Sequence, residues 1–136
     1  MPGQFKYNHF EETPPMSFDR LFDPNAIAVI GASADLSRIS GQPIVALKGA
    51  GFKKPIYLVN PKYTELHDLK CYPSAAAIGQ PVDLALIAVP ARGVADAIRD
   101  CCKAGIPFAI VLTAGFREGG PEGRKLEDDL LRAARE

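Results

Sequence analysis

The sequence predicts an α/β fold, a doubly wound parallel sheet with helices on both faces, and three observations carry that prediction. Short apolar runs alternate along the chain with segments of helical periodicity. Runs such as Ala26-Ile27-Ala28-Val29-Ile30 and Leu84-Ala85-Leu86-Ile87 are apolar on both faces, as a strand covered from both sides requires. Each run stops at residues that turn a strand into a loop: Gly31, Asn60-Pro61, Pro90 and Gly115. With 136 residues the chain fits one domain and is long enough to bury a core.

The elements follow in order. Residues 1–16 are polar, carry Pro14-Pro15 and lack periodicity, which predicts a flexible tail ahead of a domain over 17–136. Ser17 suits the cap of a helical turn, Phe18 to Phe22, that stops before Pro24. The first strand, Ala26–Ile30, breaks into Gly31-Ala32-Ser33. A helix over about Gly41 to Ala50 follows, with Pro43 in its first turn, Ile44, Val45 and Leu47 turned inward, and Gly49 and Gly51 closing it. The second strand, Ile56–Val59, ends at Asn60-Pro61-Lys62. From Tyr63 to Pro81 the chain shows only a short helical stretch, Ser74 to Ile78. The third strand, Asp83–Val89, stops at Pro90. Val94, Ala97, Ile98, Cys101 and Cys102 then fall on one helical face, and Gly105 ends that helix. The fourth strand, Pro107–Leu112, runs into Thr113-Ala114-Gly115-Phe116. A last helix starts near Pro121, packs through Leu126, Leu130 and Leu131, and turns Glu127, Asp128, Asp129 and Arg132 to solvent. A helix at this place in a doubly wound fold leads back to another parallel strand, so the chain is expected to be a truncated part of a longer protein.

Charge and composition exclude several classes. Lys plus Arg equals Asp plus Glu at 16 each, which removes the attraction that nucleic acid demands. No apolar stretch approaches the roughly 18 residues of a membrane span, and the N-terminus has no signal-like apolar core. The three cysteines, Cys71, Cys101 and Cys102, form neither a disulfide framework nor a metal spacing and are expected to be packing or surface thiols. A cytoplasmic setting is expected, with no nucleic-acid or membrane partner. His67 beside Asp68 is expected to be a solvated polar pair.

Ligands of open parallel sheets bind outside the carboxyl ends of the strands, the rule for Rossmann-like folds. Four such ends should converge here: Gly31-Ala32-Ser33, Asn60-Pro61-Lys62, Val89-Pro90-Ala91 and Thr113-Ala114-Gly115. A glycine turn followed by a helix start favours phosphate. The glycine positions of the NAD fingerprint read Gly31, Ser33 and Leu36, and the second strand ends without a carboxylate, so NAD is disfavoured. Lys62 there suits an adenine nucleotide with an extra ribose phosphate, either NADP or coenzyme A.

Six segments carry a resemblance. Ala26-Val29-Ile30-Gly31-Ala32-Ser33, Val59-Asn60-Pro61-Lys62-Tyr63, Cys71-Tyr72-Pro73-Ser74, Pro81-Val82-Asp83-Leu84-Ala85, Ala88-Val89-Pro90 and Thr113-Ala114-Gly115-Phe116 occur in that order. Over Phe18 to Glu136 the chain resembles the N-terminal CoA-binding domain of ADP-forming acyl-CoA synthetases, relatives of the succinyl-CoA synthetase alpha subunit. The resemblance implies that Gly31, Ala32 and Ser33 hold coenzyme A phosphate on backbone N–H groups and the serine hydroxyl, with Ser37, Arg38 and Ile39 lining the same loop. It places Lys62 near the 3′-phosphate, Val89, Pro90 and Ala91 along the nucleotide, and Thr113, Ala114 and Gly115 along the arm toward the thiol. It implies partner ligase and ATP-grasp domains, absent here, with ATP and magnesium acting only in them. Neither His9 nor His67 has the glycine-rich setting of the family's phosphohistidine, so the chain alone is expected to bind without catalysing, with no catalytic residue and no metal site. Two further readings stay open: a free-standing CoA-binding or regulatory module (or part of a protein acetyltransferase fusion), and an NADP-binding oxidoreductase domain.

Overall fold

Two short strands, Ile27–Ile30 (β1) and Leu84–Ile87 (β5), lie side by side at the middle of the sheet, where their purely apolar composition belongs. The computed structural model describes residues 17–136, so the expected tail, 1–16, lies outside the described residues. Ile56–Val59 (β2) pairs parallel to the other side of β1, and Phe108–Val111 (β6) pairs parallel to the outer side of β5. Strand order therefore reverses about β1 and β5, which opens a crevice above their carboxyl ends.

The far edge corrects the expectation of a wholly parallel sheet. Glu65–Leu66 (β3) and Leu69–Tyr72 (β4) form a hairpin, and β4 extends the sheet by pairing parallel to β2. The six-stranded sheet is mixed, in the order β3-β4-β2-β1-β5-β6. The segment from Tyr63 to Pro81 thus holds two strands as well as the short 3-10 turn Ala76–Ile78. Lys70 interrupts the apolar pattern of β4 but sits exposed on an edge, its ammonium 4.9 Å from the Tyr72 ring centre.

Helices cover both faces. Asp19–Phe22 (α1) precedes β1, and Gln42–Gly49 (α2) lays Ile44 into a cluster with Val29, Leu58, Ala32, Leu66 and Cys71. On the opposite face Val94–Lys103 (α3) buries Val94, Ala97, Ile98 and Cys101 against Ala28, Ile30, Ala85 and Ile87. Pro121–Arg135 (α4) packs on α3 and buries Gly123 and Ala133. Two expected core residues, Val45 and Leu131, face solvent instead, and of the adjacent thiols on α3 Cys101 is buried and Cys102 exposed. In each case one turn of helix offers the sheet a narrower stripe than the apolar pattern does, and the neighbours Ile44, Cys101 and Leu130 take the inward position.

Asp83, 2% exposed, fastens the start of β5 to the N-terminal turn. Its Oδ1 accepts a hydrogen bond from Arg20 Nε at 2.8 Å and its Oδ2 accepts the Asn25 N–H at 2.8 Å.

Candidate functional site

The carboxyl ends of β1, β2, β5 and β6 enclose a cleft of about 1160 Å³. The structure brings together there Gly31, Ala32 and Ser33 from the first loop, Ser37, Arg38 and Ile39 from its continuation, Lys62 beyond β2, Val89 and Pro90 beyond β5, and Thr113 and Ala114 beyond β6. Ala91 and Gly115 sit apart, lining a smaller neighbouring cleft of about 400 Å³ with Arg92, Gly119 and Glu122.

Gly31 sets the geometry of the rim. Its φ of +85° lies in the left-handed region, and a Cβ there would meet Val89 Cγ1 at 2.8 Å and the Val89 nitrogen at 3.1 Å. Only glycine lets the first loop close against the end of β5. The Gly31 and Ala32 amides both donate to the Val59 carbonyl, at 2.9 and 3.2 Å, so those two N–H groups serve the turn and not a ligand. Ala32 is fully buried and forms part of the floor. Of the amides expected over 31–33 only that of Ser33 is left free: among the described residues, neither the Ser33 nor the following Ala34 amide donates a hydrogen bond. Ser33 Oγ accepts the Asp35 N–H at 3.1 Å, leaving the hydroxyl proton able to donate.

Asn60 lines the cleft at the end of β2, as the convergence of strand ends predicts, and has a role that the sequence did not assign. Its Nδ2 donates to the Ala32 carbonyl at 2.9 Å and its Oδ1 accepts the Lys62 N–H at 2.9 Å, tying the first loop to the second. The sequence signal was present in asparagine before Pro61, a residue pair that builds turns through the side chain.

Charge is divided across the cleft. Lys62 is exposed and, among the described residues, pairs with no carboxylate. Arg38 lies 3.6 Å from Asp35 at the surface. Asp35 accepts both the Ser37 hydroxyl, at 2.6 Å, and the Ser37 N–H, at 3.0 Å; these two bonds hold its carboxyl below the usual range against the opposing effect of burial, with the Arg38 charge adding least. The Ser37 hydroxyl proton is thus engaged within the loop. On the opposite wall Asp100 accepts the Ala75 and Ala76 amides at 2.6 and 3.1 Å, and Asp96 meets Arg99 at 3.2 Å.

The fourth loop is braced from within. Thr113 Oγ donates to the Val89 carbonyl, locking the ends of β5 and β6 together. Glu118 accepts the Gly115 and Phe116 amides, and those bonds hold its carboxyl below the ordinary value. Burial pushes the Cys101 thiol up to about 12, helped by Asp100 and Cys102, which leaves it inert as a nucleophile. No cluster of metal-ligating side chains occurs among the described residues.

Known proteins of similar sequence and structure point to one family. Residues 25–136 match the model of a family described as CoA binding domain. An ADP-forming acetate–CoA ligase I from Archaeoglobus fulgidus is 42% identical over 116 residues, 85% of this chain and 17% of that protein. The alpha subunit of an ADP-forming acetate–CoA ligase I from Pyrococcus furiosus is 37% identical over 124 residues, 88% of this chain and 27% of that subunit. The apo structure of a dinucleotide-forming acetyl-coenzyme A synthetase 1 from Ca. Korarchaeum cryptofilum superposes with a TM-score of 0.81 at 46% identity, covering 88% of this chain and 26% of that one. The chain thus spans between 17% and 27% of the length of these relatives.

Proposed function

Because the chain belongs to the CoA binding domain family, we propose that its cleft binds coenzyme A, with residues 17–136 serving as the CoA-binding domain of an ADP-forming acyl-CoA synthetase. The observation that carries the reading is that, among the described residues, the adjacent Ser33 and Ala34 amides donate no hydrogen bond and Lys62 pairs with no carboxylate, while Ser33, whose hydroxyl can still donate, and Lys62 line the same cleft. Backbone N–H groups at a glycine turn suit a diphosphate. Lys62, at the end of the neighbouring strand, suits the 3′-phosphate of the ribose. No carboxylate terminates β2 to receive a free pair of ribose hydroxyls.

In the whole enzyme this domain would hold the nucleotide so that the thiol of the pantetheine arm reaches an activated acyl group. Its contribution is orientation, which converts a bimolecular encounter into a positioned one. ATP and magnesium would act in the ligase and ATP-grasp domains. The chain alone would bind and not turn over, because forming the activated acyl group would need those further domains.

Calorimetry with coenzyme A, dephospho-coenzyme A and NADP tests this reading. A charge-assisted contact contributes about 1.5–3 kcal/mol, or roughly 10- to 100-fold in affinity, and the exposure of Lys62 places it near the lower end. Lys62→Ala is expected to weaken coenzyme A about tenfold while leaving dephospho-coenzyme A unchanged. Equal affinity of the wild-type chain for the two forms removes Lys62 from the site, and tight NADP binding with none for coenzyme A overturns the reading.

A further inference from the structure

We infer that His67 is a positioning residue for the cleft, a side chain from the β3–β4 hairpin that fixes the Ser33–Ala34 peptide over the strand ends. For its ligand the inference rests on the coenzyme A reading; for the rest it rests on geometry. Contrary to the expectation of a solvated pair with Asp68, the His67 ring is half-buried and its Nε2 lies 2.9 Å from the carbonyl oxygen of Ser33, 34 positions earlier. A carbonyl only accepts, so Nε2 carries the proton and donates.

Two consecutive carbonyls of the first loop are therefore held by two donors, Ala32 by Asn60 Nδ2 and Ser33 by His67 Nε2. Both peptides are trans, and in a trans peptide the N–H points opposite to the carbonyl. The Ser33 and Ala34 amides consequently face away from Asn60 and His67, with their direction set before any ligand arrives. Groups already aimed need no ordering on binding, and that is the advantage of a preorganised site.

The hairpin is built to hold the imidazole in place. His67 and Asp68 adopt φ of +52° and +64°, where a hairpin turn ordinarily carries asparagine or glycine. Lys48 Nζ donates to the His67 carbonyl at 3.0 Å and anchors the turn to α2. The unfavourable backbone thus coincides with the residue that reaches the first loop.

The test has two arms. In the ligand-free chain, nitrogen chemical shifts of the imidazole are expected to report a ring protonated at Nε2, and His67→Ala is expected to move the Ala34 amide resonance. A ring protonated only at Nδ1, or an unmoved Ala34, contradicts the inference whatever the chain binds. In calorimetry, His67→Ala is expected to weaken coenzyme A and dephospho-coenzyme A alike, by about three- to tenfold, unlike Lys62→Ala. His67→Gln, whose amide nitrogen reaches the position of Nε2, is expected to restore affinity, and His67→Asn is not. Wild-type affinity in His67→Ala, or a His67→Gln as weak as His67→Asn, overturns the proposal. Where the alanine variant fails to fold, the glutamine–asparagine comparison decides. A wild-type chain that binds no coenzyme A defeats the functional reading separately, and the ligand-free arm still decides for His67.

Discussion

Gly31→Ala is expected to remove measurable coenzyme A binding and to lower the unfolding free energy of the chain by about 2–4 kcal/mol. Two independent causes add. A left-handed backbone costs a residue bearing a Cβ roughly 1–2 kcal/mol, and φ at this position is +85°. The new methyl would also meet Val89 Cγ1 at 2.8 Å and the backbone of Ala88 and Val89 just beyond 3 Å. Overpacking of this kind costs typically about 1–3 kcal/mol. The loop answers by rotating or withdrawing from β5, and either movement breaks the shared bonds from Gly31 and Ala32 to the Val59 carbonyl that set the direction of the next two amides. Urea denaturation gives the stability loss and calorimetry the affinity loss. A second substitution, Val89→Ala, is expected to recover part of the stability, because it removes the side-chain overlap and leaves the backbone strain. A Gly31→Ala chain that binds and unfolds like the wild type contradicts this account of the rim.

Asp83→Ala is the second large effect, and it acts on the fold. The substitution leaves the Asn25 N–H without its acceptor and Arg20 without its partner. Hydrogen bonds to a charged group contribute about 1.5–3 kcal/mol. The Arg20 side chain, 55% exposed, recovers part of its loss from water, so a total of about 2–4 kcal/mol is expected in urea denaturation at neutral pH. Burial pushes the Asp83 carboxyl up, but the Asn25 N–H, then the Arg20 hydrogen bond and charge, together hold it below the ordinary carboxylate value. A group depressed in the folded state stabilises above its unfolded pKa, about 3.9. That stability is lost as pH falls through the lower, folded value. The wild-type urea midpoint should therefore fall in acid below about pH 4, and Asp83→Asn should reduce that fall while lowering the midpoint at neutral pH. An Asp83→Ala midpoint equal to wild type at neutral pH would show that the pair contributes nothing.

The fold is legible in the sequence along the middle of the sheet. β1, β2 and β5 are apolar runs, β1 buried throughout, β5 nearly so and β2 in its second half, and a strand covered on both faces leaves little other composition open to it. The β3–β4 hairpin escapes because an edge needs little burial: Lys70 is exposed, β3 has two residues, and the turn has His67-Asp68 where asparagine or glycine would announce it. Site residues at strand ends are legible for a topological reason, since parallel strands discharge their loops onto one rim. Which atoms of those loops remain available is not. The Gly31 and Ala32 amides resemble phosphate donors until the Val59 carbonyl is seen to accept both. Ala91 and Gly115 likewise follow the right strands but turn toward the neighbouring cleft. His67 is invisible in sequence because its partner lies 34 positions away across a hairpin the pattern does not reveal.

The claim on which the rest depends is that phosphate is held by the two amides next in line after the glycine turn. Titration of the nitrogen-15-labelled chain with coenzyme A tests it residue by residue. The Ser33 and Ala34 amides are expected to shift most, with the Lys62 region following only for the 3′-phosphorylated form, while the Gly31 and Ala32 amides stay close to their free positions. A titration that moves residues around Ala91 and Gly115 instead, or leaves Ser33 and Ala34 unmoved at saturation, would contradict the account.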